Sequence, residues 1–141
     1  GCDLFGQTTG CRKSRPMRGG SWFQLVAVLT ALAFVALFVI LLVNSAGYIG
    51  TYGLAPDAGA DFMARRAAPM FIGLAVLLWW LRDLPAGTAR DGVCFGMAAL
   101  WCGIAVTGLY EFVRGQAGFA IVIAAAAELL AAAAFLWVRK R

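Results

Sequence analysis

The sequence predicts an all-α membrane protein with four transmembrane helices, packed as an antiparallel bundle with both termini in the cytoplasm. Three observations indicate this fold class. The 141 residues are 62% hydrophobic and only 13% charged, whereas a soluble domain carries about 25% charged residues. Four apolar runs are long enough to cross a bilayer as helices, which takes roughly 20 residues each. Basic residues flank these runs unevenly, and this unevenness sets the orientation of membrane helices.

The first span is predicted at residues 22–43, after a basic segment of residues 1–20 that we expect in the cytoplasm. Ser21 suits the N-cap position, because its hydroxyl can accept a hydrogen bond from the first helical turn. Trp22 suits the level of the lipid headgroups. From residue 44 to residue 60 the chain is rich in glycine and tyrosine, which predicts a connector at the membrane interface.

The second span is predicted at residues 61–82. Only 12 uncharged residues follow Pro69 before the next charge, and they give about 18 Å of helix, too little to cross an apolar core of about 30 Å. We therefore expect the helix to begin near Asp61 and to run through Pro69 with a kink. Arg65 and Arg66 would then lie at the membrane boundary, where they need headgroups or carboxylates as partners.

The third span is predicted at residues 92–113 and the fourth at residues 116–138. Small residues recur on the third span at steps of three and four, and such a stripe allows another helix to approach closely: Gly92, Gly96, Ala99 and Gly103. The fourth span is rich in alanine, which also favours close packing. We therefore expect these two spans to pair as an antiparallel hairpin.

The basic residues predict the orientation. With four spans both termini lie on one side, and nine of the twelve basic residues fall on that side. The other side holds Arg65, Arg66 and Arg114. The positive-inside rule therefore places both termini in the cytoplasm, with the protein integral to the cytoplasmic (inner) membrane.

Four polar residues are expected at the outer membrane face. Arg65 and Arg66 open the second span there, and Glu111 and Arg114 close the third. A pair between Glu111 and an arginine of the second span would lock the bundle. The alternative is a site for an anionic or zwitterionic ligand, because the guanidinium group matches carboxylate and phosphate.

Glu128 lies near the middle of the fourth span, at a depth where a carboxyl is costly and faces the protein interior. Counting residues from the outer face predicts Thr30 and Trp101 as hydrogen-bonding partners. Three roles remain open from the sequence: a glutamate hydrogen-bonded inside the bundle, a proton-coupled or cation-binding group, and a polar contact to a partner protein or pigment.

The sequence contains little that points to catalysis. It has no histidine, and its four cysteines form no Cys-x-x-Cys motif, so the usual ligands of haem and zinc are missing. It also lacks a Ser/His/Asp set, HExxH, a P-loop and a glycine-rich nucleotide fingerprint. We expect no enzyme activity, no cofactor, no metal site and no nucleic-acid partner.

Three stretches carry a resemblance: ADFMARRAAPMFIGLAVLLWWLRD, GLYEFVRG and AAAAELLAAAAFLWVRKR. Through them, residues 22–141 resemble a bacterial family of small four-helix membrane proteins of unknown function. The similar features are an arginine opening the second span, its tryptophan-rich end, a glutamate closing the third and a glutamate inside the fourth. The resemblance implies that Arg65 or Arg66, Glu111 and Glu128 are shared polar positions, and it implies no activity.

These observations favour a non-catalytic accessory or scaffolding subunit of a larger membrane complex. The extramembrane segments are too short for a soluble catalytic domain, and the first span is bulky and apolar on all sides. The partners expected are the lipid bilayer and other membrane subunits, for example those of a pigment or respiratory complex. The alternative is a small carrier or channel-like protein that moves a small solute or protons with Glu128.

Overall fold

The computed structural model describes residues 21–55 and 57–141. The predicted basic segment, residues 1–20, lies outside these ranges, as does Pro56. The described part of the chain contains four helices that are all long and apolar enough to cross a membrane, which confirms the predicted number and type of elements: α1 (Ser21–Thr51), α2 (Ala58–Leu81), α3 (Thr88–Val113) and α4 (Ala120–Val138).

The first helix extends beyond the predicted span. Residues 44–51, expected in a connector, belong to α1. Asn44 departs from helical geometry, with φ −144° and ψ 53°, and its Oδ1 accepts a hydrogen bond from Gly47 N at 3.1 Å. An asparagine that bonds the backbone three residues on competes with the helical ladder and starts a new turn. The polar signal at Asn44 therefore marks a kink inside α1 and not its end.

The second helix begins with a side-chain cap. The Asp57 carboxylate accepts hydrogen bonds from Gly59 N at 3.1 Å and from Ala60 N at 3.3 Å, and these bonds satisfy two amides that have no partner within the helix. α2 then runs through Pro69, as the length argument requires.

The third helix begins four residues before its predicted start, at Thr88. The fourth helix begins four residues after its own predicted start, at Ala120. Residues 114–119 form the connection between them. Gly118 N donates a hydrogen bond to Tyr52 O at 2.6 Å, and a Cβ atom at Gly118 would lie 3.2 Å from that oxygen. A glycine here therefore lets the α3–α4 connection rest against the end of α1.

The helices form two pairs. α1 packs along α2, α3 packs along α4, and the pairs meet where α1 contacts α4. Between α2 and α3 there is an apolar groove of about 520 Å³. The groove is lined by Leu74, Leu77 and Leu78 of α2 and by Gly92, Val93 and Gly96 of α3, among others.

Contacts between helix termini define the two ends of the molecule. Trp22 at the start of α1 contacts Trp137 near the end of α4, with ring centroids 5.6 Å apart. This end also carries residues 82–90, and we name it the basic end. The opposite end carries Tyr48, Tyr52 and residues 114–119, and we name it the tyrosine end.

The centre of the core is an aromatic stack. Phe34 of α1 is fully buried and lies nearly parallel to Trp101 of α3, with centroids 5.3 Å apart and 14° between the ring planes. Phe71 of α2 contacts the same phenylalanine at 5.7 Å. Three helices therefore meet at Phe34.

We predict that Phe34→Ala lowers the free energy of unfolding by roughly 1–3 kcal/mol. Large-to-small core changes leave a cavity, but in a membrane only the lost packing counts, because burial from water contributes little between apolar helices. Unfolding by SDS in mixed micelles, followed by circular dichroism, measures the change. The control is Leu29→Ala on the same helix, where the side chain is 57% exposed; an equal effect of both substitutions would contradict Phe34 as the centre of the core.

Candidate functional site

A polar network joins α1 to α2 near the tyrosine end. Ser45 is fully buried, and its hydroxyl donates a hydrogen bond to Asp61 Oδ1. Arg65 Nη2 lies 3.1 Å from Asp61 Oδ2, and Arg65 Nε donates to Ser45 Oγ at 3.4 Å. The arginine and the aspartate are one helical turn apart on α2, so both can reach the same serine. Asp61 therefore holds a buried hydroxyl and a cation together.

The other polar residues expected beside Arg65 are placed elsewhere. Glu111 pairs with Arg114 of its own helix, with Nη1 and Oε1 3.5 Å apart, and Arg66 is exposed on α2. The expected lock between Glu111 and an arginine of the second span is therefore replaced by the link between Ser45 and Asp61. The physical reason is that α2 does not pack directly on α3, so charges at their ends bond within their own helices.

Glu128 lies opposite a pair of tyrosines. The Tyr52 hydroxyl donates a hydrogen bond to the Tyr48 hydroxyl at 3.0 Å, and the two rings meet edge to face. Glu128 is half-buried on α4 and lies within electrostatic range of Tyr48. It forms no hydrogen bond with either phenol in the described part of the chain.

The structure does not bring the two expected partners to Glu128. Trp101 is stacked on Phe34, and its Nε1 is buried with no hydrogen-bond partner among residues 21–55 and 57–141. Thr30 is buried on α1, and no hydrogen bond joins it to Glu128 within residues 21–55 and 57–141.

The small-residue stripe of α3 faces outward. The four residues predicted to contact a neighbouring helix are all exposed, and a Cβ atom built at any of the three glycines meets nothing within 4 Å: Gly92, Gly96, Ala99 and Gly103. The contact between α3 and α4 uses other residues, among them Gly108, where a Cβ would lie 3.0 Å from Ile121. The expected use of the stripe within the chain is therefore wrong for residues 21–55 and 57–141, none of which covers the stripe.

A buried arginine closes the basic end. Arg90 is 1% exposed; its Nη2 donates a hydrogen bond to Val138 O, and its guanidinium lies 4.8 Å from the centre of the Phe23 ring. A cation is favourable at the C-terminal end of a helix, where backbone carbonyls lack partners. Arg90 thus holds the starts of α1 and α3 against the end of α4.

Three further arginines at the basic end lie over aromatic rings. Measured from Cζ to the ring centroid, Arg82 lies 3.9 Å from Trp79, Arg139 lies 4.4 Å from Phe95 and Arg141 lies 4.2 Å from Trp137. Such contacts hold a guanidinium flat over an apolar surface. The basic end therefore carries fixed positive charge at the level where tryptophans meet lipid headgroups.

Among the described residues, no three His, Cys, Asp or Glu side chains come together as metal ligands. The arginines of the basic end have the chemistry to bind anions.

Comparison with known proteins gives no match to a protein-family profile, to a curated protein or to a solved structure. The similarity of residues 22–141 to a family of small four-helix membrane proteins stays a prediction from the sequence.

Sequence reasoning missed Ser45, Asp61 and Arg90. For Asp61 and Arg65 a signal was present, because an acid and a base four residues apart on a helix commonly pair. For Arg90 the sequence held no such signal. Arg90 falls between the predicted second and third spans. Because α3 begins earlier than predicted, Arg90 belongs to this helix and its side chain is buried in the bundle.

We predict that Asp61→Asn lowers the free energy of unfolding by about 1–3 kcal/mol, because it weakens charge-assisted bonds to Arg65 and to the buried Ser45. The matched control is Asp83→Asn, whose side chain is 66% exposed and pairs with Arg82 without a link to a second helix; an exposed pair of this kind is worth about 0–1 kcal/mol. Unfolding in mixed micelles measures both changes. A smaller loss in Asp61→Asn than in the control would contradict the network as a link between α1 and α2.

Proposed function

We propose that this chain is a non-catalytic accessory or scaffolding subunit of a larger membrane protein complex. In this proposal the four helices form an antiparallel bundle in the cytoplasmic membrane, with both termini in the cytoplasm. The distribution of basic residues supports the orientation. The contacts of Trp22 with Trp137 and of Arg90 with Val138 support the antiparallel arrangement.

The free small-residue stripe of α3 is the observation that carries the proposal. Its four members lie on one face and extend over about 17 Å of helix. Thr107 prolongs the same face, and its hydroxyl bonds back to the carbonyls of Gly103 and Ile104, which leaves little polar character outside. Helices associate in membranes where small residues let their backbones come close. The stripe therefore suits a transmembrane helix of another protein.

The groove beside the stripe adds to this surface. Gly92 and Gly96 belong both to the stripe and to the groove between α2 and α3, and leucines of α2 form the opposite wall. A partner helix lying on the stripe would have these leucines on one flank. Ridges of large residues beside a line of small ones give the close packing on which membrane helices depend.

We expect purification in mild detergent from native membranes to yield a stoichiometric complex with another membrane protein, identified by mass spectrometry. Gly96→Leu should reduce the bound partner about tenfold, because losing close helix packing costs roughly 1–2 kcal/mol. Gly73→Leu is the matched control: it makes the same change at a glycine of α2 that also has open space around it.

Two results would overturn the proposal. One is a lone monomer or homo-oligomer from native membranes. The other is a complex that Gly96→Leu and Gly73→Leu weaken equally, since the stripe would then have no special part in binding.

The second candidate is a small carrier or channel-like protein, and the half-buried Glu128 on α4 favours it. A carboxyl inside a membrane-spanning bundle marks a candidate proton or solute path. Against it stands the composition of the groove between α2 and α3, which is lined by apolar side chains.

For the purified chain in liposomes under a pH gradient, the subunit proposal predicts the same proton flux as in empty liposomes. It also predicts that Glu128→Gln leaves this flux unchanged, because a subunit that acts by packing moves no protons. Flux that depends on the protein and falls in Glu128→Gln, while the control Glu111→Gln retains it, would favour the carrier instead.

A further inference from the structure

Two cavities meet at a pair of tryptophans near the basic end. The first, of about 250 Å³, is almost wholly apolar and lies along α1 and α2. The second, of about 420 Å³, contains Arg82 and Asp83. Trp79 and Trp80 line both cavities. An apolar surface on the outside of the bundle thus continues into a charged one at the level of the headgroups. The apolar walls are Ala31, Leu32 and Val35 of α1 and Ile72, Ala75 and Val76 of α2.

Arg82 offers hydrogen-bond donors in the second cavity. Its guanidinium carbon lies 3.9 Å from the centre of the Trp79 ring. Asp83 Oδ2 lies 3.4 Å from Nε. Nη1 has no hydrogen-bond partner in the described part of the chain, so Asp83 does not use all the donors of this guanidinium. The Arg82 side chain is 27% exposed, which leaves part of it accessible to a ligand in the cavity.

The charge around this position favours an anion. Five basic and two acidic residues of the described ranges lie at the basic end: Arg82, Arg90, Arg139, Lys140 and Arg141 against Asp83 and Asp91. Ligand and arginine would meet at the membrane interface, where attraction between unlike charges is stronger than in bulk water.

We infer that this site binds one anionic phospholipid of the leaflet at the basic end. An acyl chain lies in the apolar cavity between α1 and α2, and the phosphate accepts hydrogen bonds from Arg82 beside Trp79. The continuity of the two cavities selects an amphiphile over a soluble anion. The net positive charge selects an anionic headgroup over a zwitterionic one. The inference is independent of the proposed protein partner, whose surface lies on α3.

The test uses the full chain in nanodiscs of equimolar dioleoylphosphatidylglycerol and dioleoylphosphatidylcholine, with native mass spectrometry of the lipid retained after release. We expect one phosphatidylglycerol to remain bound. Arg82→Gln should weaken its retention about tenfold, as expected for one charge-assisted hydrogen bond. Lys140→Gln is the matched control, because it removes an exposed positive charge at the same end and should change retention little.

Two additional measurements separate the parts of the site. Val76→Trp fills the apolar cavity without touching Arg82, and it should reduce retention of phosphatidylglycerol. Glycerol 1-phosphate has the same phosphate chemistry without acyl chains, and it should not displace the lipid. Circular dichroism and thermal unfolding establish that each variant is folded; should Arg82→Gln fail to fold, Val76→Trp and the soluble competitor still decide the matter.

Three results would overturn the inference. Equal retention of the two lipids would remove the anionic preference. Equal loss in Arg82→Gln and Lys140→Gln would indicate general attraction to the basic end. Displacement by glycerol 1-phosphate at the concentration of the lipid would indicate a site for a soluble anion.

Discussion

The contact between α1 and α4 is the constraint on which the rest of the structure depends, because it joins the two helix pairs at both ends of the molecule. At the basic end it is made by Trp22 against Trp137, and at the tyrosine end by the backbone bond from Gly118 to Tyr52. It also lets α2 and α3 stand apart, and their separation leaves both the groove and the stripe uncovered.

The charged residues follow one pattern throughout the described chain. The arginines with acidic partners pair with residues close to them in the sequence. Arg65 pairs with Asp61 of the same helix, and Arg114, directly after α3, pairs with Glu111 of α3. The arginines of the basic end rest on aromatic rings. Charges paired in this way hold helix ends at the membrane surface and leave the middle of the bundle to apolar packing.

The sequence predicted the four helices because long uncharged runs have few alternatives in a membrane. It predicted the helix through Pro69 by length alone. It could not predict where the first helix ends, because Asn44 resembles a terminator while its side chain starts another turn of α1. It placed small residues on one face of α3, but periodicity does not say whether a face meets the same chain or another. The buried Arg90 depends on a helix start that no cap residue announced.

The helices differ in length, and this affects how they cross the hydrocarbon layer. α1 has 31 residues and α4 has 19, which correspond to about 46 Å and 28 Å of helix. A hydrocarbon layer of about 30 Å matches the shorter helix, whereas the longer one must tilt or extend beyond it. Because α1 meets α4 at both ends of the molecule, the additional length of α1 is taken up by its kink at Asn44 and by tilt. α1 therefore crosses the hydrocarbon layer at an angle to α4.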